Sequence, residues 1–475
     1  MQIHGLSPVN PPSAAGAQAA PTPATVPLAH ALTSSRDRAT PGRASDACAS
    51  RHHASPSVQK HVKLIAAVPR GHEGDRRQAR AVAVETMRAL VDAGLYRPGE
   101  ISCETLTVAG RDHASLERAL TQTLKGWMDR VDASEYDRLI FILAGSDHGL
   151  APVLGDVPSD NVVITAFTGH KLTQDIKTAR RLPAIMALPV SAVTEEERTQ
   201  LAARTNLILV PGVAHDVTEA SIQQAARDYA GKGYKPIPKV DGDTVSILLG
   251  GDVVDEDPET GVRTLRRLTP DDARRQASDI ARLELEGRRR CHFVIVSSPR
   301  TGKYGPDGAE VNPNPHRTGT RDEVTRAFAE TLSAYPNAQV DVFDFQYAES
   351  PSAYGPLLHA YRSAGGPTGR IHVPGDSVSM VSEVASVLPG AMVIDETASM
   401  DANHRRAAEA IAAHGGIAML RRDGTLQPGR GEHASPPEPA AKRIADAIVA
   451  YISASAPAAS TDAAAQGSPA RRISG

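Results

Sequence analysis

The sequence predicts an α/β protein built from two doubly wound parallel-sheet domains. From about residue 60 to residue 452, short apolar runs typical of buried strands alternate with amphipathic stretches of helical length. The alternation is interrupted once, by the basic segment 231–238, in which glycine and proline punctuate the chain. Repeated strand–helix units favour parallel sheets with helices on both faces, and the interruption favours two such sheets in succession.

The first half of this core alternates strands with helices along its whole length. Thr194 and Glu197 have the spacing of a capping box, which marks the start of one helix. The apolar runs predict strands at 62–68, 103–108, 139–143, 162–164, 184–188 and 207–210. The amphipathic stretches between them predict helices at 75–93, at 113–131, from 194 onwards and at 218–229.

The second half repeats the pattern. Thr269 caps a helix that has Pro270 at its first position, and Thr320 with Glu323 forms a further capping box. Strands are predicted at 245–249, 293–296, 340–343, 371–373, 391–394 and 417–420. Helices are predicted from 270 onwards, at 320–335, at 354–363, from 376 onwards, at 403–414 and at 440–452.

Both ends of the chain lack this pattern and are predicted to be disordered. Residues 1–58 are rich in Pro, Ala, Ser and Thr, and residues 455–475 in Ala and Ser. The predicted domains are therefore 59–235 and 236–454. The first tail has no apolar h-region of a signal peptide, and it resembles the secretion signal of bacterial type III effectors; a plain disordered extension explains it almost as well.

Charge and composition exclude several function classes. The 52 basic and 55 acidic residues nearly balance, so nothing indicates a nucleic-acid partner. Aromatic residues make up 4%, which argues against platforms that stack bases. Cys48, Cys103 and Cys291 are far apart, so no zinc or disulfide pattern is present and no metal is expected. No apolar run approaches the ~20 residues that cross a bilayer, which predicts a soluble protein, either in the bacterial cytoplasm or secreted into a host cell.

The most informative strand end is the stretch 375–383. Asp376 or Ser377 is placed to cap a helix whose first-turn N–H groups attract phosphate, because free donors and the positive end of the dipole point the same way. Asp376, either Ser379 or Met380, and Glu383 share one face at helical spacing, which places Glu383 where a carboxylate would accept hydrogen bonds from ribose hydroxyls. An ordinary capped helix with a surface glutamate is the alternative.

Two further strand ends carry groups suited to a ligand, as expected at the carboxyl ends of doubly wound sheets. Arg300 and Lys303 follow the strand at 293–296 and suit phosphate oxygens, although the segment does not match a Walker loop. His72 or Glu73 follows the first strand and is placed to act as a base or to orient a substrate. A polar turn before a solvated helix is the alternative for this pair.

The remaining loops leave their roles open. His215 precedes a helix, where the dipole favours a neutral imidazole, and both a catalytic role and a buried hydrogen-bonded role fit it. The adjacent Ser146, Asp147 and His148 do not make a hydrolase triad, whose members converge from separate segments, so a substrate-binding loop is the functional interpretation. The acidic run 252–259 predicts a solvated loop.

Taken together, these segments resemble the mitochondrial-fission ELM-like family, whose fold is similar to the GT-B fold of glycosyltransferases. The resemblance covers roughly residues 60–452. It rests on Gly71-His72-Glu73 with Gln78, on Gly250-Gly251, on Ser297 to Thr301 and, most specifically, on Asp376 to Met380 with Glu383. Pro299 stands where the family has an arginine, and the gap between Glu73 and Gln78 is longer than the family's.

The resemblance implies a GT-B-like protein that binds a nucleotide sugar between two Rossmann-like domains and transfers the sugar to an unknown acceptor. It implies no separate cofactor. The implied nucleotide site contains Gly251, Ser298, Arg300, Thr301, Asp376, Ser377, Ser379 and Glu383, with Glu383 at the ribose. The candidate bases are His72, Glu73 and His215. The alternatives are a non-catalytic scaffold for a host or membrane-associated partner, and a nucleotide-sugar epimerase or hydrolase.

Overall fold

The structure consists of two lobes, each built on a largely parallel sheet. It is a computed structural model that describes residues 61–69, 73–108, 113–129, 136–145, 155–157, 162–256, 262–311, 321–345, 352–365, 368–429 and 435–455. The strands that the sequence predicts are all present within these ranges, with bounds that shift by a few residues.

The first lobe is a six-stranded sheet of β1 (Val62–Pro69), β2 (Ile101–Val108), β3 (Arg138–Gly145), β4 (Val163–Gly169), β5 (Ile185–Pro189) and β6 (Asn206–Val210). The strand order is β2-β1-β3-β4-β5-β6, and every neighbouring pair is parallel. Its helices are α1 (Glu73–Asp92), α2 (His113–Met128), α3 (Gln174–Thr178), α4 (Glu195–Ala202) and α5 (Glu219–Ala230). β4 is buried along its whole length, as expected for a sheet covered on both faces.

The second lobe contains a seven-stranded sheet of β7 (Thr244–Leu248), β10 (Cys291–Val296), β11 (Ala338–Phe343), β12 (Arg370–Pro374), β13 (Met392–Asp395), β14 (Ala418–Leu420) and β15 (Leu426–Gln427). The order is β11-β10-β7-β12-β13-β14-β15, and only the β14–β15 pair is antiparallel. Its helices are α6 (Pro270–Leu285), α7 (Glu323–Ser333), α8 (Tyr354–Ser363), α9 (Val378–Val387), α10 (Ala402–Gly415) and α11 (Ala440–Ala454). The winding reverses between β7 and β12, which makes this point the switch point of the sheet.

A small hairpin outside the main sheets corrects one prediction. Its strands are β8 (Val253–Glu256) and β9 (Arg263–Arg266), which pair antiparallel. The predicted solvated loop at 252–259 is wrong for residues 252–256, because Asp252 is buried and the next four residues form a strand. The carboxylate of Asp252 accepts from the backbone N–H groups of Leu268 at 2.8 Å and Tyr304 at 2.9 Å. These backbone partners are distant in the chain, so a run of acidic residues in the sequence does not indicate that one of them is buried.

Local sequence signals predicted the helix caps at Thr194 and Thr269 correctly, but not the one at Thr320. The side chains of Thr194 and Thr269 cap α4 and α6, as predicted. The predicted capping box at Thr320 is wrong, because α7 has Asp322 as its N-cap, with the carboxylate accepting from the N–H of Thr325 at 2.7 Å. Aspartate and threonine are both good caps, so the path of the backbone decides between them.

Each lobe is covered in part by a helix from the other half of the chain. The last helix of the chain, α11, packs against α1, whereas α5 packs against α8 of the second lobe. Ile222 and Tyr229 of α5 belong to a hydrophobic core that the second lobe mainly supplies. The N–H of Val213 also donates to the Oγ of Ser382 across the seam, at 3.1 Å. The predicted domain boundary after residue 235 stays a prediction.

The strand orders confirm the predicted fold class, an α/β chain with two Rossmann-like parallel-sheet lobes in succession. The predicted disordered tails lie outside the described residues, apart from Ser455. In the part of the chain that the structure describes, no helix is both long enough and apolar enough to cross a membrane.

Candidate functional site

The loops that follow β7, β10, β12 and β13 meet around one buried carboxylate. The Oδ2 of Asp376 accepts from the N–H of Gly251 at 3.1 Å and from the guanidinium of Arg300 at 3.0 Å. Its Oδ1 accepts from the hydroxyl of Thr397 at 2.7 Å. Because Asp376 bonds to residues on both sides of the switch point, it holds the strand ends at a fixed separation.

The two glycines after β7 are required by the close approach of these loops. A Cβ on Gly250 would lie 2.1 Å from the Oδ1 of Asp376, and a Cβ on Gly251 would lie 2.2 Å from the backbone carbon of Arg300. No side chain fits at such distances. The N–H of Gly251, predicted to belong to the nucleotide site, is used here by Asp376.

Ser298 and Thr301 brace the loop that carries Arg300. The buried hydroxyl of Thr301 donates to the carbonyl of Gly250 at 2.7 Å. The N–H of Ser298 in turn donates to the Oγ1 of Thr301 at 3.0 Å. These bonds fix the backbone on either side of Arg300, and a direct phosphate contact of either hydroxyl stays a prediction.

Helix α9 begins directly after this network. Of the two predicted caps, Ser377 holds the N-cap position and its hydroxyl faces the N–H of Met380 at 3.5 Å, while Asp376 braces the loops. The N–H groups of Val378 and Ser379 lie in the first turn, where no partner exists within the helix. They therefore form the positive end of the helix dipole.

A cleft with walls from both lobes opens over this helix start. Its volume is about 230 Å³. The first lobe contributes His170 and Lys171, and the second lobe contributes Asp252, Val253, Val254, Arg300, Lys303, Tyr304, Val378, Asp401, Asn403 and His404. A guanidinium and the first turn of a helix thus border the same space.

The cations of the second-lobe wall are paired but remain accessible. Arg300 pairs with Asp376 and keeps 35% of its side chain exposed. Lys303 pairs with Glu310 at 3.0 Å and keeps 30% exposed. The Lys303–Glu310 pair is exposed on both sides and contributes only about 0–1 kcal/mol, so an entering phosphate competes well for Lys303. The carboxylate of Asp376 is buried, so Arg300 keeps this partner and offers a phosphate the exposed part of its guanidinium. Among the described residues, no group of three or more His, Cys, Asp or Glu side chains is placed to hold a metal ion.

Glu383, the predicted ribose ligand, is buried within α9. It is 6% exposed and does not border the cleft, and its carboxylate accepts from the hydroxyl of Tyr354 at 2.7 Å. Burial raises the pKa of Glu383 to about 7, against the lowering effect of the Tyr354 hydrogen bond. A ribose hydroxyl at Glu383 would have to replace that of Tyr354 as the donor.

His215, a candidate base, lies at the seam between the lobes. Burial lowers the pKa of His215 to about 4, so the imidazole is neutral near pH 7, with burial as the main cause. Its Nδ1 has no hydrogen-bond partner among the described residues. It borders a smaller pocket with Ser382 and Ser386, separate from the residues that border the main cleft.

Solved structures that resemble the chain do so weakly. A UDP-GlcNAc 2-epimerase of Methanocaldococcus jannaschii aligns with 82% of this chain and 100% of its own, at 11% identity and a TM-score of 0.42. A UDP-forming α,α-trehalose-phosphate synthase of Burkholderia vietnamiensis aligns over 82% and 91%, at 13% identity and a TM-score of 0.39. An Arabidopsis thaliana protein complexed with UDP aligns over 83% and 91%, at 11% identity and a TM-score of 0.39. No protein-family model and no curated protein sequence matches the chain.

The predicted site residues divide into three groups. His72 and the loop 146–149 lie outside the described residues, and only the backbone of Glu73 is described, at the start of α1. His215 and Glu383 are buried beside the cleft-forming elements without bordering the cleft. The structure brings together Gly251, Ser298, Arg300, Thr301, Asp376, Ser377 and Ser379 at one edge of the second sheet.

Sequence reasoning missed several residues that border the cleft. Asp401 and His404 follow β13, and Lys171 follows β4. The rule that ligand groups gather after the strands of a doubly wound sheet applied to them equally. The loop after β13 drew no prediction because it contains no glycine and no recognised motif.

Proposed function

We propose that the chain binds the diphosphate of a nucleotide sugar in this cleft and transfers the sugar to an acceptor hydroxyl. The observation that carries the proposal is that Arg300 and the first turn of α9 border one cleft at the switch point of the second sheet. A guanidinium and a helix N-terminus bind phosphate oxygens by charge-assisted hydrogen bonds. At about 230 Å³ the cleft is smaller than the roughly 300–1,000 Å³ of small-molecule sites, so it would hold only part of a nucleotide sugar.

The same groups suit the chemistry of a departing diphosphate. Negative charge grows on the diphosphate as its bond to the sugar breaks, and fixed donors stabilise that charge without reorganisation. Asp376 holds Arg300 in place before any ligand arrives. His170 and Lys171 of the first lobe form the wall that faces these groups.

The finer parts of the proposal rest on the sequence. Glu383 remains the proposed ribose ligand, with Tyr354 as the group that a ribose hydroxyl replaces. The resemblance to the ELM-like family is carried by the segment Asp376 to Met380 with Glu383. Delivery into a host cell through residues 1–58, and a host partner there, are predictions from composition.

Nucleotide binding by the full chain tests the proposal. The wild-type protein is expected to bind at least one of UDP, GDP and dTDP in calorimetry. Arg300→Ala should weaken that binding about 10-fold or more, because a hydrogen bond to a charged group contributes about 1.5–3 kcal/mol. Arg290→Ala is the matched control, since Arg290 is an exposed arginine beside the opposite end of β10.

A change in nucleotide affinity can be distinguished from an effect of the substitution on folding. Because Arg300 also pairs with Asp376, the melting temperature of each variant is measured in parallel. Arg300→Lys keeps a positive charge and should retain more affinity than Arg300→Ala. A wild-type protein that binds none of the three nucleotides contradicts the proposal, and so does an Arg300→Ala variant that binds as tightly as the wild type.

A further inference from the structure

A histidine and an aspartate form a fixed pair in the wall of the cleft. Asp401 is the N-cap of α10, and its Oδ1 accepts from the backbone N–H of His404 at 2.7 Å. The same oxygen lies 2.7 Å from the ring Nδ1 of His404. The imidazole is therefore held to the cap of its own helix while it borders the cleft.

The pairing determines which ring nitrogen is available. A carboxylate only accepts, so Nδ1 carries the proton that binds Asp401, and Nε2 keeps its lone pair when the ring is neutral. Burial raises the pKa of Asp401, but hydrogen bonds from His404 and the charge of Lys171 outweigh it and hold the pKa at about 2. Asp401 thus stays a carboxylate at neutral pH. No hydrogen bond to Nε2 is present among the described residues.

The pair lies beside the proposed phosphate site. Helices α9 and α10 pack against each other, and residues of both first turns, Val378 and His404, border the same cleft. Because both residues border one space, a sugar attached to a diphosphate at α9 would lie near His404. His215, by contrast, borders a different pocket.

We propose that His404 is the base of the sugar-transfer step and that Asp401 is its positioning residue; this inference rests on the proposed function. The Nε2 of His404 accepts the proton of an acceptor alcohol, or of water in its place. The acceptor oxygen then forms a bond to the anomeric carbon of the sugar. The bond from that carbon to the diphosphate oxygen breaks, and its electron pair leaves with the diphosphate beside Arg300.

The test follows nucleotide release with water as the acceptor. The full chain is incubated with UDP-glucose, UDP-N-acetylglucosamine, GDP-mannose and dTDP-glucose, and the release of UDP, GDP or dTDP is measured. His404→Gln should lower kcat about 100-fold, within the range of general base catalysis, and should keep nucleotide affinity within about threefold. His414→Gln should behave like the wild type, because His414 is exposed in the last turn of the same helix.

Two further variants separate a chemical role from a structural one. Asp401→Asn preserves an N-cap, since asparagine caps about as well as aspartate, but removes the charge, and should lower kcat about 10-fold or more without changing KM. His404→Ala should regain turnover when imidazole is added, in proportion to its concentration. Loss of the cap alone would not respond to imidazole.

Each remaining outcome decides the inference. A wild type that binds nucleotide but releases none from any donor overturns it and leaves the proposed binding site standing. Failure to bind UDP, GDP or dTDP overturns the proposed function and this inference together. A fall in kcat of less than tenfold in His404→Gln, or a larger loss in His170→Gln than in His404→Gln, places the base elsewhere. His404→Asn replaces His404→Gln if the latter melts below the assay temperature.

Discussion

At the scale of single residues, the chemistry of the site depends on what Asp376 binds. An aspartate before a helix is an ordinary cap candidate, yet Ser377 takes that position and Asp376 instead bonds to Gly251, Arg300 and Thr397. These partners come from strands that neighbour β12 or lie one strand further along the sheet. The role of Asp376 therefore follows from strand order, which local sequence does not contain.

Gly250→Ala tests this network at its tightest contact. A Cβ there would lie 2.1 Å from the Oδ1 of Asp376, so the carboxylate has to move and its bonds to Arg300 and Thr397 weaken. We expect a loss of about 1–3 kcal/mol in the free energy of unfolding, together with weaker nucleotide binding. Denaturant unfolding and calorimetry measure the two effects.

Gly242→Ala is the control for this substitution, because a Cβ at Gly242 meets no atom within 4 Å. It should unfold within about 0.5 kcal/mol of the wild type. Equal stability of the Gly250→Ala and Gly242→Ala variants would show that the loops do not approach as closely as described.

At the scale of elements, the last helix of the chain completes the first lobe. Ala441, Ile444, Ala445, Ile448 and Ile452 of α11 are buried, at the three- and four-residue spacing of one helix face. This face packs against α1, β5 and β6. Amphipathic spacing predicts such a helix well, but it does not say which lobe the apolar face covers.

The Ile448→Ala substitution measures how much the packing of α11 on the first lobe contributes to the stability of the protein. Ile448 is fully buried, so the substitution leaves a cavity and should cost about 2–5 kcal/mol in the free energy of unfolding. Asp446→Ala is the control and should unfold close to the wild type, since Asp446 is exposed and pairs with Lys442 on the surface of the same helix. A loss below about 1 kcal/mol in Ile448→Ala would contradict the packing of α11 on the first lobe.

At the scale of the whole molecule, buried titratable groups set how stability varies with pH. Burial raises the pKa of Glu383 to about 7 from 4.5, so its contribution is lost as pH rises through that window. Burial lowers the pKa of His215 to about 4 from 6.5, so its contribution grows as pH rises through nearly the same window. These two effects offset each other below neutrality.

Just above neutral pH, His372 has the largest effect on how the free energy of unfolding varies with pH. Burial lowers its pKa, but the carboxylates of Asp395 at 2.8 Å and Glu284 at 3.3 Å outweigh burial and raise the pKa of His372 to about 9 from 6.5. Its stabilisation is complete below pH 6.5 and is lost as pH rises to about 9. The free energy of unfolding should therefore fall by up to about 3 kcal/mol across this window, measured by denaturant unfolding at several pH values.

The His372→Gln variant should be less stable at pH 6.5 and should lose this pH dependence, because no imidazolium remains between the two carboxylates. His359→Gln is the control and should keep the wild-type slope, since the hydrogen bond between His359 and Ser363 lies at the surface. An equal slope in the wild type and in His372→Gln would mean that another group titrates in this window.

The sequence by itself determined the fold class and the edge of the sheet that carries the site. Strand and helix periodicities are local, so alternation alone predicts two parallel sheets, and parallel sheets collect ligand groups where strands end. Arg300 and Ser377 could be predicted on that basis. Both lie at the carboxyl edge of the second sheet, and Arg300 borders the cleft.

Only the tertiary structure decided which of these groups meet and which are buried. That Asp376 bonds across the switch point, that Tyr354 covers Glu383, and that His404 borders the cleft all depend on which strands and helices become neighbours. Those neighbours lie tens to over a hundred residues apart in the chain. Contacts at such separation are set by the packing of whole elements, and no local pattern encodes them.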